Sequence, residues 1–465
     1  MLFKRSRLAK LEPARRALAE GQYEVAFALL ENAARRPWSR GTQAQYLLHL
    51  AELYALYGSE GAEGGALALK DAARTDTSVT RQPLYSALFW EFAALQGESA
   101  ADVKRGVQRV ATGDEPVARY HAASALLAAG ALKSVVRTLE PLEGQLPEYL
   151  EWRRWSLVGQ AQEGLSNWHE AAEAFARAVD LCSGPERESE RLSLAACQLE
   201  NGAAADALSV LTAVDEADLY PEDVAFKRYL EGRGELERGN PNQALMCLFD
   251  AARLNGSEES FGLSYAFGQC YAALGRFDEA EDALLEAVTT APSEHRTHAR
   301  HELAYVLMEA DRNDEALDLL ADVLGDPDYP HQGDAFADLA ECHLKLGAFE
   351  EAEQAARAAL ELGSVALACL TLGNVAYEYY RLADAATWFE QAAAASTVGE
   401  GVWVSAQQML ADIFSQQGPG AVERMHHHAR AALAYTGPSS DWYLPLQRYL
   451  SIAVESLGET GRVLN

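Results

Sequence analysis

Positive charge is scarce in this sequence. Its 465 residues carry 39 Lys and Arg against 69 Asp and Glu, a formal net charge of −30. Such a surface repels phosphate backbones and anionic lipid, so nucleic acid is not an expected partner. It attracts basic segments, but the same charge also serves plain solubility, and composition does not separate the two. Proline is sparse, at 15, and alternating β-branched runs are few, which argues against a sheet-built fold. No run approaches the roughly 18 apolar residues of a membrane-spanning helix. Six cysteines (Cys182, Cys197, Cys247, Cys270, Cys342 and Cys369) form no CxxC and no compact disulfide spacing. They sit among apolar residues, where a free thiol acts as a small hydrophobe. No apolar stretch of signal-peptide type follows the start, so a reducing cytoplasm is the expected compartment.

Catalytic signatures are missing too. There is no GxSxG elbow and no GxxxxGK phosphate loop. His301-Glu302 opens like HExxH, but Tyr305 stands where the second His is required. Gly232-Arg233-Gly234 lacks the third glycine of a dinucleotide fingerprint. His295, His298 and His301 would share one side of a helix and could hold zinc, or could simply be a polar repeat start; a fourth ligand is not evident. Consecutive His426, His427 and His428 would point about 100° apart and cannot converge on one ion without ligands from elsewhere. No acid and base pair is identifiable. The expectation is a non-enzyme with no cofactor and no metal.

What the chain does have is helix-forming Ala, Leu and Glu in a 49% apolar composition. It also has a repeat. In the stretch from Ser260, Gly268 is followed by Tyr271, Gly275, Phe277, Ala280, Leu284, Ala287 and Pro292. Gly268 and Ala280 would let two antiparallel helices approach closely; Gly275 suits the tight turn between them; Pro292 ends the second helix. The small residue of the second helix recurs at Ala171, Ala207, Ala244, Ala280, Ala316, Ala352 and Ala385, spaced 36, 37, 36, 36, 36 and 33. Its counterpart on the first helix recurs at Gly159, Ala195, Gly232, Gly268, Ala304, Ala340 and Gly373. Large apolar partners follow at Phe175, Leu211, Leu248, Leu284, Leu320 and Phe389, with Ala356 as the exception.

These columns resemble the tetratricopeptide repeat, a helix–turn–helix unit of about 34 residues. Sel1-like repeats share the longer unit length, but their glycine-rich pattern is absent. The resemblance implies an all-α, right-handed superhelical solenoid of about twelve repeats with a C-terminal capping helix. The expected division is a solenoid over 1–440 (looser over 1–150, regular over 152–397, irregular over 402–436), then a capping helix and tail over 441–465. The Gly-rich stretch Gly58–Gly65 reads as an inter-helix loop, as do Pro141–Pro147 and Asp215–Pro221. Lys4, Arg5, Arg7, Lys10, Arg15 and Arg16 make the first helix basic, either as a solvated face or as a contact surface.

In this family the first helices line a concave groove. By that resemblance the groove here is lined by Phe226, Tyr229, Arg233, Tyr265, Gln269, His298, His301, Glu302, Tyr305, Asp334, Asp338, Glu341, Asn374 and Tyr377, with Tyr120, Gln160 and Asp412 in matching positions. Its aromatics and its carboxylates (Glu302, Asp334, Asp338, Glu341) suit a basic peptide with apolar anchors, or else form a packed and solvated helix face. The Lys, Asn and Arg clamp by which some family members hold peptide C-termini is absent. The function implied is a protein–protein scaffold or adaptor. A peptide-sensing regulator that changes solenoid shape is the alternative. The expected partner is a protein or peptide with a basic segment, and self-association is open.

Overall fold

In the computed structural model, which describes residues 11–256 and 260–463, the chain is all helix. The described residues form 25 α-helices and four short 3₁₀ turns, with no strand. Taken in order, the α-helices make twelve hairpins from Leu11–Ala19 with Tyr23–Ala34 through Gly401–Gln416 with Val422–Leu433, followed by one unpaired helix, Tyr443–Val463. No described helix is long and apolar enough to cross a membrane. The chain divides into two compact units, residues 1–257 and 258–465, each a stack of hairpins.

Local chemistry sets the helix ends. Proline occupies the first turn of the helices beginning at Pro83, Pro116, Pro185, Pro221 and Pro241, where its missing N–H costs nothing. Ser99 caps the Ala100–Ala111 helix: its hydroxyl oxygen accepts from the Asp102 amide at 3.2 Å and its O–H donates to the Asp102 carboxylate at 2.6 Å. The hairpin turns need one left-handed residue. At Gly275, φ is +69°, and the Arg276 amide returns to the Tyr271 carbonyl at 2.9 Å. Ser166, Asp311 and Tyr380 take the same conformation in three other turns at the cost of a Cβ clash.

The repeat columns pack as the sequence predicts. A Cβ placed on Gly159 would meet Phe175 at 2.8 Å, one on Gly232 would meet Leu248 at 2.8 Å, and one on Gly373 would meet Phe389 at 2.6 Å. Small residue on the first helix therefore faces large residue on the second, and both are buried in each hairpin. Ala356, the exception among the large partners, is fully buried opposite Ala340.

Three expectations change. Residues 58–65 are not a loop: they open the Gly58–Thr75 helix. Their glycines are small for packing reasons, since a Cβ on Gly64 would meet Tyr54 at 2.7 Å and one on Gly65 would meet Phe92 at 2.2 Å. The last helix runs Tyr443–Val463, so most of the tail expected within 441–465 is helix. It buries Leu446 and Ala453 but leaves Leu444, Ile452 and Val454 exposed. Tyr120, placed in the groove by its repeat position, is buried, with its ring edge-on to His121 at 5.1 Å. Of the basic residues at the start, Lys4, Arg5, Arg7 and Lys10 lie outside the described residues; Arg15 pairs loosely with Glu12 at 3.8 Å.

Candidate functional site

The first helices of the 258–465 unit bring most of the candidate residues onto one connected face. Phe261–Ala273 carries Tyr265 and Gln269; Ser293–Glu309 carries His298, His301, Glu302 and Tyr305; Gln332–Lys345 carries Asp334, Asp338 and Glu341. Tyr265 donates its hydroxyl to Glu302 at 3.1 Å, linking the first two helices. His301 links the second to the third. One ring nitrogen lies 2.9 Å from Asp338 Oδ2 and the other 2.8 Å from the Tyr329 hydroxyl. His298 and His331 crowd the same Tyr329 ring, with centroids 6.4 and 5.7 Å away.

The electrostatics follow from burial. Withdrawal from water raises Glu302 and Asp338 above the usual carboxylate range, against the lowering by Tyr265 and His301 respectively. It also pushes the Tyr329 phenol up to about 12. Loss of hydration lowers His298, and the neighbouring imidazoles of His331, His301 and His295 add to it. The four carboxylates of this face are each partnered. Glu302 and Asp338 are tied inward, Asp334 lies 3.6 Å from His331, and Glu341 lies 3.1 Å from Lys345. Tyr305 stands apart: the residue is 46% exposed, and its phenol, raised first by burial, sits in the field of Glu309, Glu302, Asp338 and Glu341.

Further along the same unit, Tyr377 donates to Asp412 Oδ2 at 2.5 Å, and Tyr449 of the last helix donates to Oδ1 at 2.6 Å. Asn374 is half-buried beside them in sequence. In the 1–257 unit, Phe226 is exposed and stacks on Tyr229, centroids 6.2 Å apart. Arg233 reaches Glu200 at 2.6 Å, and Gln160 turns back to Ser156 at 3.2 Å. Tyr329, His331 and Tyr449 were invisible to the repeat columns. The first two lie in an inter-repeat loop and the third in the final helix, where the columns stop.

The most unusual titratable groups lie inside the 1–257 unit. Glu52, Glu91, His121 and Tyr149 are almost wholly buried. Glu52 takes bonds from His49 at 2.6 Å and from the Tyr149 hydroxyl at 2.7 Å, and His121 pairs with Glu91 at 2.7 Å. Burial alone would raise Glu52, but the bond and charge of His49, the charge of His121 and the Tyr149 hydroxyl hold it down at about 2. The cavity beside Glu52 is about 10 Å³, too little for a substrate and barely a water. Burial likewise pushes the Cys182, Cys197 and Cys342 thiols up to about 12, which removes them as nucleophiles. Among the described residues, no group of three His, Cys, Asp or Glu is placed to hold a metal ion.

Residues 229–295 and 307–364 each match a family model described as tetratricopeptide repeat. No curated protein sequence matches the chain. Solved structures similar to it include the apo form of the quorum sensor NprR from B. thuringiensis, at 12% identity over 66% of this chain and 97% of that one, TM-score 0.48. Another is the apo form of RapI, at 12% identity over 66% and 97%, TM-score 0.46. A third is the APC/C hetero-tetramer Cut9–Hcn1, at 15% identity over 90% and 93%, TM-score 0.43. With its hairpins packed small against large along the repeat columns, and two segments matched by the family's models, the chain carries tetratricopeptide repeats.

Proposed function

We propose that this protein is a non-enzymatic scaffold that binds a basic, aromatic-anchored segment of a partner protein on the first-helix face of its 258–465 unit. One observation carries the reading: Tyr305 presents an exposed ring within the field of four carboxylates. An aromatic surface supplies contact area at low entropic cost, and surrounding negative charge selects Lys or Arg on the ligand. The partnered state of the face fits this role. Lys345 is exposed and Glu341 half-buried, and a pair at the surface is worth only about 0–1 kcal/mol. A ligand cation can therefore replace Lys345 at little cost. His301 ties the Ser293–Glu309 helix to Asp338 on the Gln332–Lys345 helix and to Tyr329 in the loop before it.

The test is capture of partners from native extract with the purified chain, washed at rising salt. A specific partner should be retained at low salt and released at high salt. Tyr305→Ala with Asp334→Lys should weaken its retention roughly tenfold while leaving the helical spectrum and melting temperature unchanged. A partner that ignores both salt and this double substitution would overturn the assignment.

A further inference from the structure

The 1–257 unit carries a feature at odds with the chain's charge. Two clefts open on it. One, about 610 Å³, is walled by Leu69, Tyr85, Phe89 and Phe92, with Lys70 and Arg74 among its lining. The other, about 830 Å³, lies among the Ala100–Ala111, Pro116–Ala128 and Leu132–Leu139 helices and is lined by Lys104, Arg105, Arg119 and Arg137. The lining residues of both clefts together include no Asp or Glu. With 69 acidic residues in 465, chance would place about three among them, so the local field is reversed against the whole.

The clefts are neighbours. Phe89 of the first packs edge-on to Trp90 at 5.4 Å. Trp90 lies flat on the helix that carries Lys104 and Arg105, since a Cβ on Gly106 would meet its ring at 1.9 Å. Arg119 is braced into the second cleft by donating to the Thr138 carbonyl at 2.9 Å, and its Nε is shielded from water with no hydrogen-bond partner. Arg105 and Arg74 hold only exposed carboxylates, Asp102 at 2.8 Å and Asp71 at 3.4 Å, which compete weakly for them.

We infer that these adjoining clefts form a second binding site, for an acidic segment of a partner protein that carries an apolar anchor. The anchor fills the Phe89 cleft, and the carboxylates meet Lys104, Arg119 and Arg137. Concave clefts of this size take protruding side chains rather than a flat lipid surface. A long polyanion such as DNA would meet the repulsion of the remaining surface, whereas a short segment seated in the clefts feels mainly charges within a Debye length of about 8–10 Å. The site shares no residue with the first-helix face of the 258–465 unit, so each proposal fails or stands alone.

The probe is a fluorescein-labelled glutamate-rich peptide containing one phenylalanine, followed by anisotropy with the full chain. It should bind, with affinity falling as salt rises. Lys104→Glu with Arg137→Glu, both exposed positions, should weaken it at least about tenfold, and Phe89→Ser should weaken it separately. Reversal of the exposed Arg253 and Arg357 should change it little. Lys104→Gln with Arg137→Gln provides the milder pair should charge reversal disturb folding. The inference is overturned if the peptide does not bind, or binds both double variants like the native chain. It is equally overturned if phosphatidylserine vesicles or duplex DNA, and not the peptide, depend on Lys104 and Arg137.

Discussion

One added methyl group at Gly268 would sit 2.5 Å from Leu284 Cγ, closer than carbon atoms pack. Gly268→Ala should therefore cost about 1–3 kcal/mol by overpacking one hairpin, read as a shift in the urea midpoint at unchanged slope. Glu52 gives a residue-scale prediction of another kind. Its carboxyl is held at about 2 in the fold, below an unfolded value of about 4.3. The stability it contributes is fully present above the unfolded value and is lost as pH falls from about 4.3 toward about 2. Denaturation of the native chain and of Glu52→Gln across that window checks this. The variant should start less stable near neutrality and lose less on acidification, whereas parallel curves would show that Glu52 is not the group responsible. The Glu52–Tyr149 bond spans 97 residues, and no periodicity in the sequence points to it.

At the scale of elements, the helix Val422–Leu433 should be sensitive to acid. Burial of the His428 ring, then the charges of His427 and Arg424, lowers its pKa to about 4, and its Nδ1 lies 2.7 Å from Gln407 Oε1. A histidine held neutral by the fold is protonated first in the unfolded chain. Stability present above about 6.5 is therefore lost as pH falls from there toward about 4. Amide protection factors in this helix, taken against the intrinsic exchange rate at each pH, should fall between pH 7 and pH 5 by more than in helices without histidine; an equal fall everywhere would refute the local origin. The final helix behaves differently. Tyr449 ties it to Asp412 at 2.6 Å and Leu446 buries it against Ala411, Ala429 and Ala432. Tyr449→Phe should cost about 1–3 kcal/mol by leaving a charged acceptor one bond short, seen as fraying of this helix before the rest.

Across the whole molecule, stability is a sum over neighbouring hairpins rather than a single core. A lesion such as Gly268→Leu should lower amide protection across the 258–465 unit far more than across the 1–257 unit. Uniform loss in both would mean that they unfold as one. Charge also acts at this scale. A chain of −30 that carries both an acidic, Tyr305-centred face and a carboxylate-free pair of clefts should bind basic and acidic probes independently, each weakened by salt. Competition between the two probes would show that only one site exists.

The repeat was legible because each of its contacts is local. Gly159 with Phe175, Gly268 with Leu284 and Gly373 with Phe389 join consecutive helices of one hairpin, so the steric demand repeats at a fixed spacing along the chain. The positions of Tyr265, His301, Tyr305 and Asp338 on first helices followed from the same spacing. Their partners did not. Tyr329 reaches His301 from a loop 28 residues away, and Tyr449 reaches Asp412 across 37, so only the packing of successive hairpins could bring them together. The glycines at 61, 64 and 65 read as a loop because composition cannot distinguish a flexible glycine from one flattened under Tyr54 and Phe92. Sequence alone determined the hairpins, since their contacts are short-range and periodic; tertiary structure decided which charges are free, since a carboxylate's partner can come from any helix the stack places beside it.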